Sequence, residues 1–202
     1  MSRLTLVSLS TIVGLVGGAN NLGAEEEEVR ERWEARAIAM GTSHPPVVPR
    51  GRVTTLQINI NRWTTPEERE ALFKELKENG QQGLVRSLQR QDETGWIRVT
   101  GAGAGATQRP REVFRYSRQM DLGEGKRRIV LALDRPISFT EQANRPRSRD
   151  FDVTLIVMDV DAENSGEGQL SIGVRLELNP DGELSITNFG SEPVRLSNLR
   201  QR

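Results

Sequence analysis

The sequence contains no cysteine and only one histidine, His44, among its 202 residues. Without cysteine there is no disulfide, no thiol nucleophile and no lipid-anchor site of the lipobox kind. His44 lies beside Pro45 and Pro46 in a proline-rich segment, so a Ser-His-Asp triad is nearly excluded and a zinc site built from His and Cys is excluded. A pair of carboxylates acting as acid and base stays open, because their separation is set by the fold. The sequence favours a protein that is not an enzyme and that needs no cofactor or metal.

Net charge is also lacking, since 28 basic and 28 acidic side chains cancel. Nucleic-acid-binding domains usually carry a strong basic excess, so we expect no nucleic-acid partner. The charge is nevertheless uneven, because residues 109–149 hold ten Arg and one Lys against five acids, whereas residues 150–202 hold four Arg against ten acids. One interpretation is an anion-binding patch made of Arg109, Arg111, Arg145, Arg147 and Arg149. The other, which we favour, is that neighbouring strands pair basic with acidic outer faces.

A hydrophobic run long enough to span a membrane is missing as well. Residues 4–16 are apolar but diluted by Ser, Thr and Gly, and they are too few for a normal span. With Arg3 before them and small residues after them, they are typical of a signal peptide. We expect cleavage after Ala24, with Ala19 as the alternative site and an uncleaved anchor as the alternative outcome. The sequence therefore predicts a bacterial protein exported to the periplasm or beyond, with residues 1–24 removed and no integral membrane span left.

Residues 25–51 are predicted to form a charged helix followed by a proline-rich linker. Acidic and basic side chains four residues apart, with the acid first, favour a helix, and Val29, Trp33 and Ala37 fall on one helical stripe. Residues 41–51 carry three prolines, which favour a linker. Two interpretations of the helix stay open, a partner-binding arm and a solvated, loosely docked helix.

A two-residue periodicity predicts a single β-rich domain over residues 52–202, of the mainly β (α+β) class. Its centre is a hairpin over residues 151–178. The middle of the first strand is apolar at both parities, so we expect both of its faces to be covered. In all we expect about eight antiparallel strands, as a meander closed into a barrel or rolled into a sandwich. Alternation places two sets of side chains on shared faces: Leu170, Ile172, Val174, Leu176 and Leu178 in one, and Phe114, Tyr116 and Met120 in the other.

A helical hairpin at residues 65–91 is predicted after the first strand of this domain. Thr65 is a good N-cap, Pro66 suits the first helical position, and Glu68 completes a capping box. Gly80 is expected to stop the first helix. The apolar stripes of the two helices must then lie on the sheet or close one end of it.

Two loops carry weak chemical signals. The Gly-Ala repeat of residues 101–106 lacks the Lys-Ser/Thr ending of a phosphate-binding loop. Residues 159–164 resemble the start of a calcium loop, but the sixth position is Asn164 where that pattern requires Gly. We therefore predict a polar hairpin loop there and no metal site.

Four segments resemble an uncharacterised family of exported bacterial proteins. They are residues 60–69 (INRWTTPEER), 128–137 (RIVLALDRPI), 166–171 (GEGQLS) and 188–196 (NFGSEPVRL). The resemblance extends over about residues 52–199, implies export and a single β-rich domain, and brings no activity or catalytic residue with it. It suggests a shared site that includes Arg62, Trp63, Asp134, Arg135 and Pro136.

These observations lead to a hypothesis of an exported, non-enzymatic binding module for a small apolar or anionic ligand. A barrel of this size can hold one such ligand in its interior. The alternative is an envelope-associated protein-interaction or structural domain, and a metal-free carboxylate enzyme is the least favoured class. The predicted ligand-binding residues are Arg62, Trp63, Tyr116, Asp134, Arg135, Arg145 and Arg147.

Overall fold

The computed structural model describes residues 30–39, 53–100, 111–137, 153–178, 184–188 and 194–202. These residues form ten strands and one helix. The elements in chain order are β1 (Glu31–Ala39), β2 (Val53–Ile60), α1 (Pro66–Arg90), β3 (Gly95–Thr100), β4 (Glu112–Phe114), β5 (Tyr116–Gly123), β6 (Lys126–Leu133), β7 (Val153–Val160), β8 (Ser165–Leu178), β9 (Leu184–Asn188) and β10 (Val194–Gln201).

All ten strands belong to one antiparallel sheet. Nine of them follow the order β4-β3-β2-β1-β10-β8-β7-β6-β5, and β9 pairs with β8 beside this path. The predicted class, mainly β and antiparallel with a helical insertion, is confirmed. The predicted closed barrel is wrong, because the sheet is open and its two end strands are β4 and β5. Those end strands are consecutive along the chain, separated only by Arg115.

The open sheet curls around one hydrophobic core. Side chains from both halves of the strand order meet in it, including Trp33 of β1, Ile97 of β3 and Ile156 of β7, and each of these is fully buried. Because strands so far apart in the sheet share a core, their common face must turn inward. That inner face is packed with the protein's own side chains.

The opposite face of β6, β7 and β8 is covered by α1. Leu72, Leu76, Leu84 and Leu88 of the helix are buried against the sheet. Their partners on the strands are Ala132, Val153, Leu155, Val174 and Leu176. The apolar residues at both parities of β7 thus have a core on each side, as the sequence predicts. Burial of apolar surface on both faces is what holds the helix on the sheet.

The predicted helix at residues 25–40 is wrong where the structure describes it, because residues 31–39 form the strand β1. In β1, Trp33, Ala35 and Ala37 are buried at two-residue spacing. Trp33 and Ala37 are four residues apart and can share a face of either a helix or a strand. Ala35, midway between them, shares that face only in a strand, and it is buried with them. Pairing with β2 on one side and β10 on the other decides the matter. Acid–base pairs four residues apart stabilise a helix by only about 0.2–0.5 kcal/mol each, far less than burial of a large aromatic side chain.

A bulge in β8 overturns the predicted single face of that strand. Leu170 and Ile172 belong to the inner core, whereas Val174 and Leu176 belong to the helix-side cluster. Gly173, between them, has a φ of 66°. It lies where the pairing with β7 shifts by one residue. One extra residue reverses the alternation, so the strand turns its apolar side chains from the inner face to the outer one.

A similar reversal occurs between β4 and β5. Phe114 is fully buried in the inner core, whereas Tyr116 packs on the helix side, so the predicted shared face of these two residues is wrong. The bend at Arg115 between the strands separates the two alternations. This reversal is what brings Tyr116 towards α1.

The helix confirms the predicted start and interruption. The Thr65 side chain accepts a hydrogen bond from the Glu68 amide, and the Glu68 carboxylate accepts one from the Thr65 amide at 2.9 Å. Gly80 has a φ of 61°, outside the helical region, and kinks α1 into two helical segments. Just beyond the kink, the Gln81 side-chain amide donates to the carbonyl of Val174 at 3.0 Å and accepts from the amide of Leu176. These two bonds attach the kink to β8.

Candidate functional site

A cavity of about 280 Å³ lies between α1 and the outer face of the sheet. Its walls come from α1, from β5 to β8 and from β9. The lining residues are Leu72, Phe73, Leu76, Leu84, Leu88, Tyr116, Met120, Arg128, Val130, Ala132, Leu155, Val157, Leu176 and Ile186. All but two of these, Tyr116 and Arg128, have wholly apolar side chains. A concave, mainly apolar space with few polar groups is the usual form of a small-molecule site.

The cavity exists because the helix covers only part of an apolar outer face. Leu155 and Ala132, on neighbouring strands, are buried beneath α1. Val130 and Val157, one outward position further along the same strands, are only half-buried. Ala132 leaves space because its side chain is small. Large apolar side chains thus pack one end of the groove, and the other end stays accessible.

The mouth of the cavity carries exposed apolar side chains. Phe73 on α1 is 39% exposed and Ile186 on β9 is 49% exposed. Both line the cavity, although they are more than a hundred residues apart in the chain. Isolated exposed apolar residues are ordinary, but an apolar rim around a concave apolar space is typical of a binding site.

Two polar side chains of the described residues reach the cavity wall. The guanidinium of Arg128 binds the carboxylate of Asp159 through two hydrogen bonds, at 2.6 and 2.7 Å. The hydrogen bond to Asp159 raises the pKa of Arg128, and the same bond from Arg128 lowers the pKa of Asp159 against an opposing effect of burial. The Arg128 charge is therefore already neutralised. Tyr116, the other polar residue, is the one predicted ligand-binding residue among the described ones that lines the cavity.

Arg62 and Trp63 lie elsewhere, at the start of α1. Arg62 binds the Glu68 carboxylate through both terminal nitrogens, each at 2.9 Å. The carbonyl of Arg62 accepts a hydrogen bond from the buried Ser117 hydroxyl at 2.6 Å. Trp63 packs against the inner core. These contacts join the first turn of the helix to β5, so in this structure both residues hold the helix in place.

Asp134 and Arg135 form a second polar group beyond the end of β6. The Asp134 carboxylate is 4% exposed and lies 3.0 Å from Nε of Arg135 and 3.9 Å from Nε of Arg115. The hydrogen bond to Asp134 raises the pKa of Arg135. Nη1 of Arg115 donates to the carbonyl of Gln91 at 2.6 Å, just past the end of α1. This group joins the bend between β4 and β5 to the end of α1 and to the residues that follow β6. It does not line the cavity.

The two remaining predicted residues, Arg145 and Arg147, lie outside the described residues, as do Arg109 and Arg149 of the possible anion-binding patch. The predicted signal peptide of residues 1–24 and the Gly-Ala repeat are also outside them. Where strands are described, basic and acidic outer positions do pair across the sheet. Arg128 binds Asp159, and Arg195 binds Glu167 at 2.8 and 2.9 Å.

The segment that resembles a calcium loop is the connection between β7 and β8. Asp161 uses one carboxylate oxygen to accept hydrogen bonds from the amides of Glu163, at 3.1 Å, and Ser165, at 2.8 Å. Asn164 adopts a positive φ of 56° and accepts a hydrogen bond from Arg127. These bonds account for the polar residues of a tight hairpin loop. Within the described part of the chain no group of three or more acidic or histidine side chains is arranged to hold a metal ion.

Most of the cavity wall is invisible to sequence reasoning about function. In the sequence, Leu72, Phe73 and Leu76 indicate only an apolar stripe of a helix that packs on a sheet. The one available signal is β7, whose apolar residues at both parities show that two separate faces need a partner. Whether the outer face keeps an unfilled groove depends on how far α1 extends over it.

Comparison of the chain with family models, with curated proteins and with solved structures finds no match. The fold is therefore defined by its geometry alone, which is a single curled antiparallel sheet with one kinked helix across its outer face. Among the described residues, no helix has the length and apolar character needed to cross a membrane.

Proposed function

We propose that this protein is an exported, non-enzymatic binding module that holds one small apolar ligand between α1 and the outer face of β5 to β8. The observation that carries the proposal is the cavity of about 280 Å³ with its apolar wall. Small-molecule sites have volumes of roughly 300–1,000 Å³. A cavity at the lower limit of that range suits a single short acyl chain or a compact ring system.

The position of the cavity supports carriage of a ligand over catalysis. The buried carboxylate of Asp134 and the ion pair of Arg62 with Glu68 lie at other places in the fold, where Asp134 binds Arg135 and Glu68 binds both Arg62 and the Thr65 amide. At the cavity wall the charged pair of Arg128 and Asp159 is mutually satisfied. No pair of free carboxylates faces the cavity among the described residues, so this site offers binding rather than acid–base chemistry.

Binding of the neutral fluorescent probe N-phenyl-1-naphthylamine tests the proposal. The probe fluoresces in apolar surroundings, and we expect the wild-type protein to bind it at one site. Val130→Trp places a large side chain in the cavity and should abolish binding. Val53→Trp is the matched control, because Val53 is exposed on β2 and does not line the cavity.

Two results would contradict the proposal. One is a wild-type protein that leaves the probe dark. The other is a Val130→Trp variant that binds the probe as well as Val53→Trp does, with both variants folded by circular dichroism. If Val130→Trp does not fold, Val157→Phe fills the same groove from the next strand and is expected to give the same loss.

A protein-interaction role is the second candidate, and the exposed side chains of Phe73 and Ile186 favour it. An apolar side chain of an envelope partner would then fill the groove in place of a small molecule. Native mass spectrometry after gentle extraction separates the two. A bound mass of a few hundred daltons supports the carrier, and a clean apoprotein that also fails to bind the probe supports the interaction domain. Membership of the exported bacterial family stays a prediction, and so does export, which amino-terminal sequencing of protein from its native source would test.

A further inference from the structure

We infer that the ligand is an amphiphile with an anionic end, and that Arg118 holds its carboxylate or phosphate group at the edge of the cavity. This inference rests on the proposed function, because it names the class of ligand for the same site. It concerns a residue that is neither among the cavity-lining residues nor among those predicted from the sequence.

The register of β5 places Arg118 on the cavity side of the sheet. Ser117, its neighbour in the chain, is fully buried towards the interior. Tyr116 and Met120, the residues two positions away on either side, both line the cavity. Side chains alternate along a strand, so Arg118 shares their face.

The neighbouring strand confirms this position. Arg118 pairs across the sheet with Val130, which also lines the cavity. Residues directly opposite each other in an antiparallel pair have Cβ atoms about 4.5–5.5 Å apart. Arg118 therefore lies next to the apolar wall on two sides, along its own strand and across to β6.

The charge of Arg118 is not neutralised by the described part of the chain. Arg128, its neighbour on the outer face, forms an ion pair with Asp159. Arg195 on β10 likewise forms an ion pair with Glu167. Arg118 forms no ion pair with any carboxylate among the described residues, although its side chain is half-buried. A half-buried cation beside an apolar groove has lost part of its hydration, and a bound anion would restore the lost interactions.

The guanidinium group also fits the chemistry of the proposed ligand end. It presents parallel N–H groups that match two oxygens of a carboxylate or a phosphate. With the acyl chain against Val130 and Met120, an anionic group at the chain end would meet Arg118 at the rim. A neutral alcohol of the same length would keep the apolar contacts but leave the cation unpaired.

Competition against N-phenyl-1-naphthylamine at neutral pH tests the inference, using decanoate, decyl phosphate and decanol as competitors of equal chain length. A charge-assisted hydrogen bond contributes about 1.5–3 kcal/mol, so at least one of the two anions should displace the probe at a concentration at least about tenfold below that of decanol. Which anion is stronger distinguishes a carboxylate ligand from a phosphate ligand.

The variant Arg118→Gln should remove the preference for the anion while leaving the affinity for the neutral probe unchanged. Arg86→Gln is the matched control, because Arg86 is an exposed arginine of α1 that lies outside the cavity wall. It makes the same change of charge and should keep the preference.

Three outcomes would overturn the inference. Equal displacement by all three competitors, with the probe bound, removes the anionic end and leaves the carrier proposal standing. If the preference for the anion survives Arg118→Gln, the assigned role of Arg118 is overturned, whereas the carrier proposal stands. Failure of the wild-type protein to bind the probe overturns the carrier proposal and this inference together.

Discussion

The ion pair between Glu31 and Arg127 gives the most direct test of the curled sheet. Glu31 is on β1 and Arg127 on β6, and in the strand order β10, β8 and β7 lie between them. Nη1 and Nη2 of Arg127 donate to the two carboxylate oxygens of Glu31, at 2.8 and 3.3 Å. Trp33 Nε1 donates to the same carboxylate at 3.0 Å, and the Arg127 guanidinium lies 5.4 Å from the Trp33 ring centroid. Only a sheet that turns back on itself brings these groups into contact.

The size of the effect follows from the burial of the pair. The side chains of Glu31 and Arg127 are 14% and 23% exposed. Removing one partner of a fully buried pair costs about 3–5 kcal/mol, whereas an exposed pair contributes about 0–1 kcal/mol. For this partly screened pair we expect Arg127→Met to lower the free energy of unfolding by about 2–3 kcal/mol, including the lost contact with the Trp33 ring. Glu31→Gln should cost less, since its amide oxygen can still accept from Trp33.

A double-mutant cycle in urea isolates the interaction itself. We expect a coupling energy of about 1–2 kcal/mol between Glu31 and Arg127. The matched control is the pair of Glu124 and Lys126 on the β5–β6 hairpin, which is 3.4 Å apart but highly exposed. Its coupling should be indistinguishable from zero. A coupling below about 0.3 kcal/mol for Glu31 and Arg127 would refute the reasoning, because that value is the usual scatter between independent sites.

Two further predictions concern the start of α1 and the bulge of β8. Burial raises the pKa of Glu68, but the hydrogen bonds from Arg62 and from the Thr65 amide outweigh it and leave the pKa below the ordinary value of 4.5. The stabilisation is therefore present above that value and lost as the pH falls through the lowered pKa, so Glu68→Gln should cost most at neutral pH and nothing in strong acid. Urea unfolding across this range checks it, and a cost independent of pH would contradict it. Gly173→Ala should lower the free energy of unfolding by about 1–2 kcal/mol, because its φ of 66° is unfavourable for a residue with a Cβ. Gly173→Asn should cost less, and an alanine variant as stable as the wild type would show that the bulge does not need the left-handed conformation.

The parts of the fold that the sequence predicts correctly are those set by nearby residues. Thr65 and Glu68 cap the helix across three residues, and the positive φ of Gly80 interrupts it. The hairpin of β7 and β8 joins two apolar strands through a loop of a few polar residues. In each case the residues that interact are close in the chain, so their spacing carries the information.

Prediction fails where a distant strand chooses between two local patterns. Trp33 and Ala37 fit a helix as well as a strand, and only pairing with β2 and β10 selects the strand. At Gly173 a shift of one residue moves Val174 to the other face, and the shift depends on how β7 and β8 meet. Neither choice is visible in a short window of sequence.

The candidate site shows the same limit more strongly. Of the predicted residues that the structure describes, Tyr116 alone is in the cavity wall, whereas Arg62, Asp134 and Arg135 hold elements together elsewhere. A charged residue in a recognisable motif indicates importance, but it does not separate structural support from binding. Phe73 and Ile186 carry no such signal and become neighbours only when α1 lies across the sheet.

Hydrophobic periodicity and capping act over a few residues, so the amino-acid sequence was enough to predict an antiparallel β-protein with a capped helical segment interrupted at Gly80. The fold was needed to show that β1 is a strand, that the sheet curls without closing, and that an apolar cavity lies on its outer face. Those outcomes depend on strand pairing and on the faces that remain after the helix has packed. They combine residues far apart in the chain, whose contacts gain energy only when the whole sheet has formed.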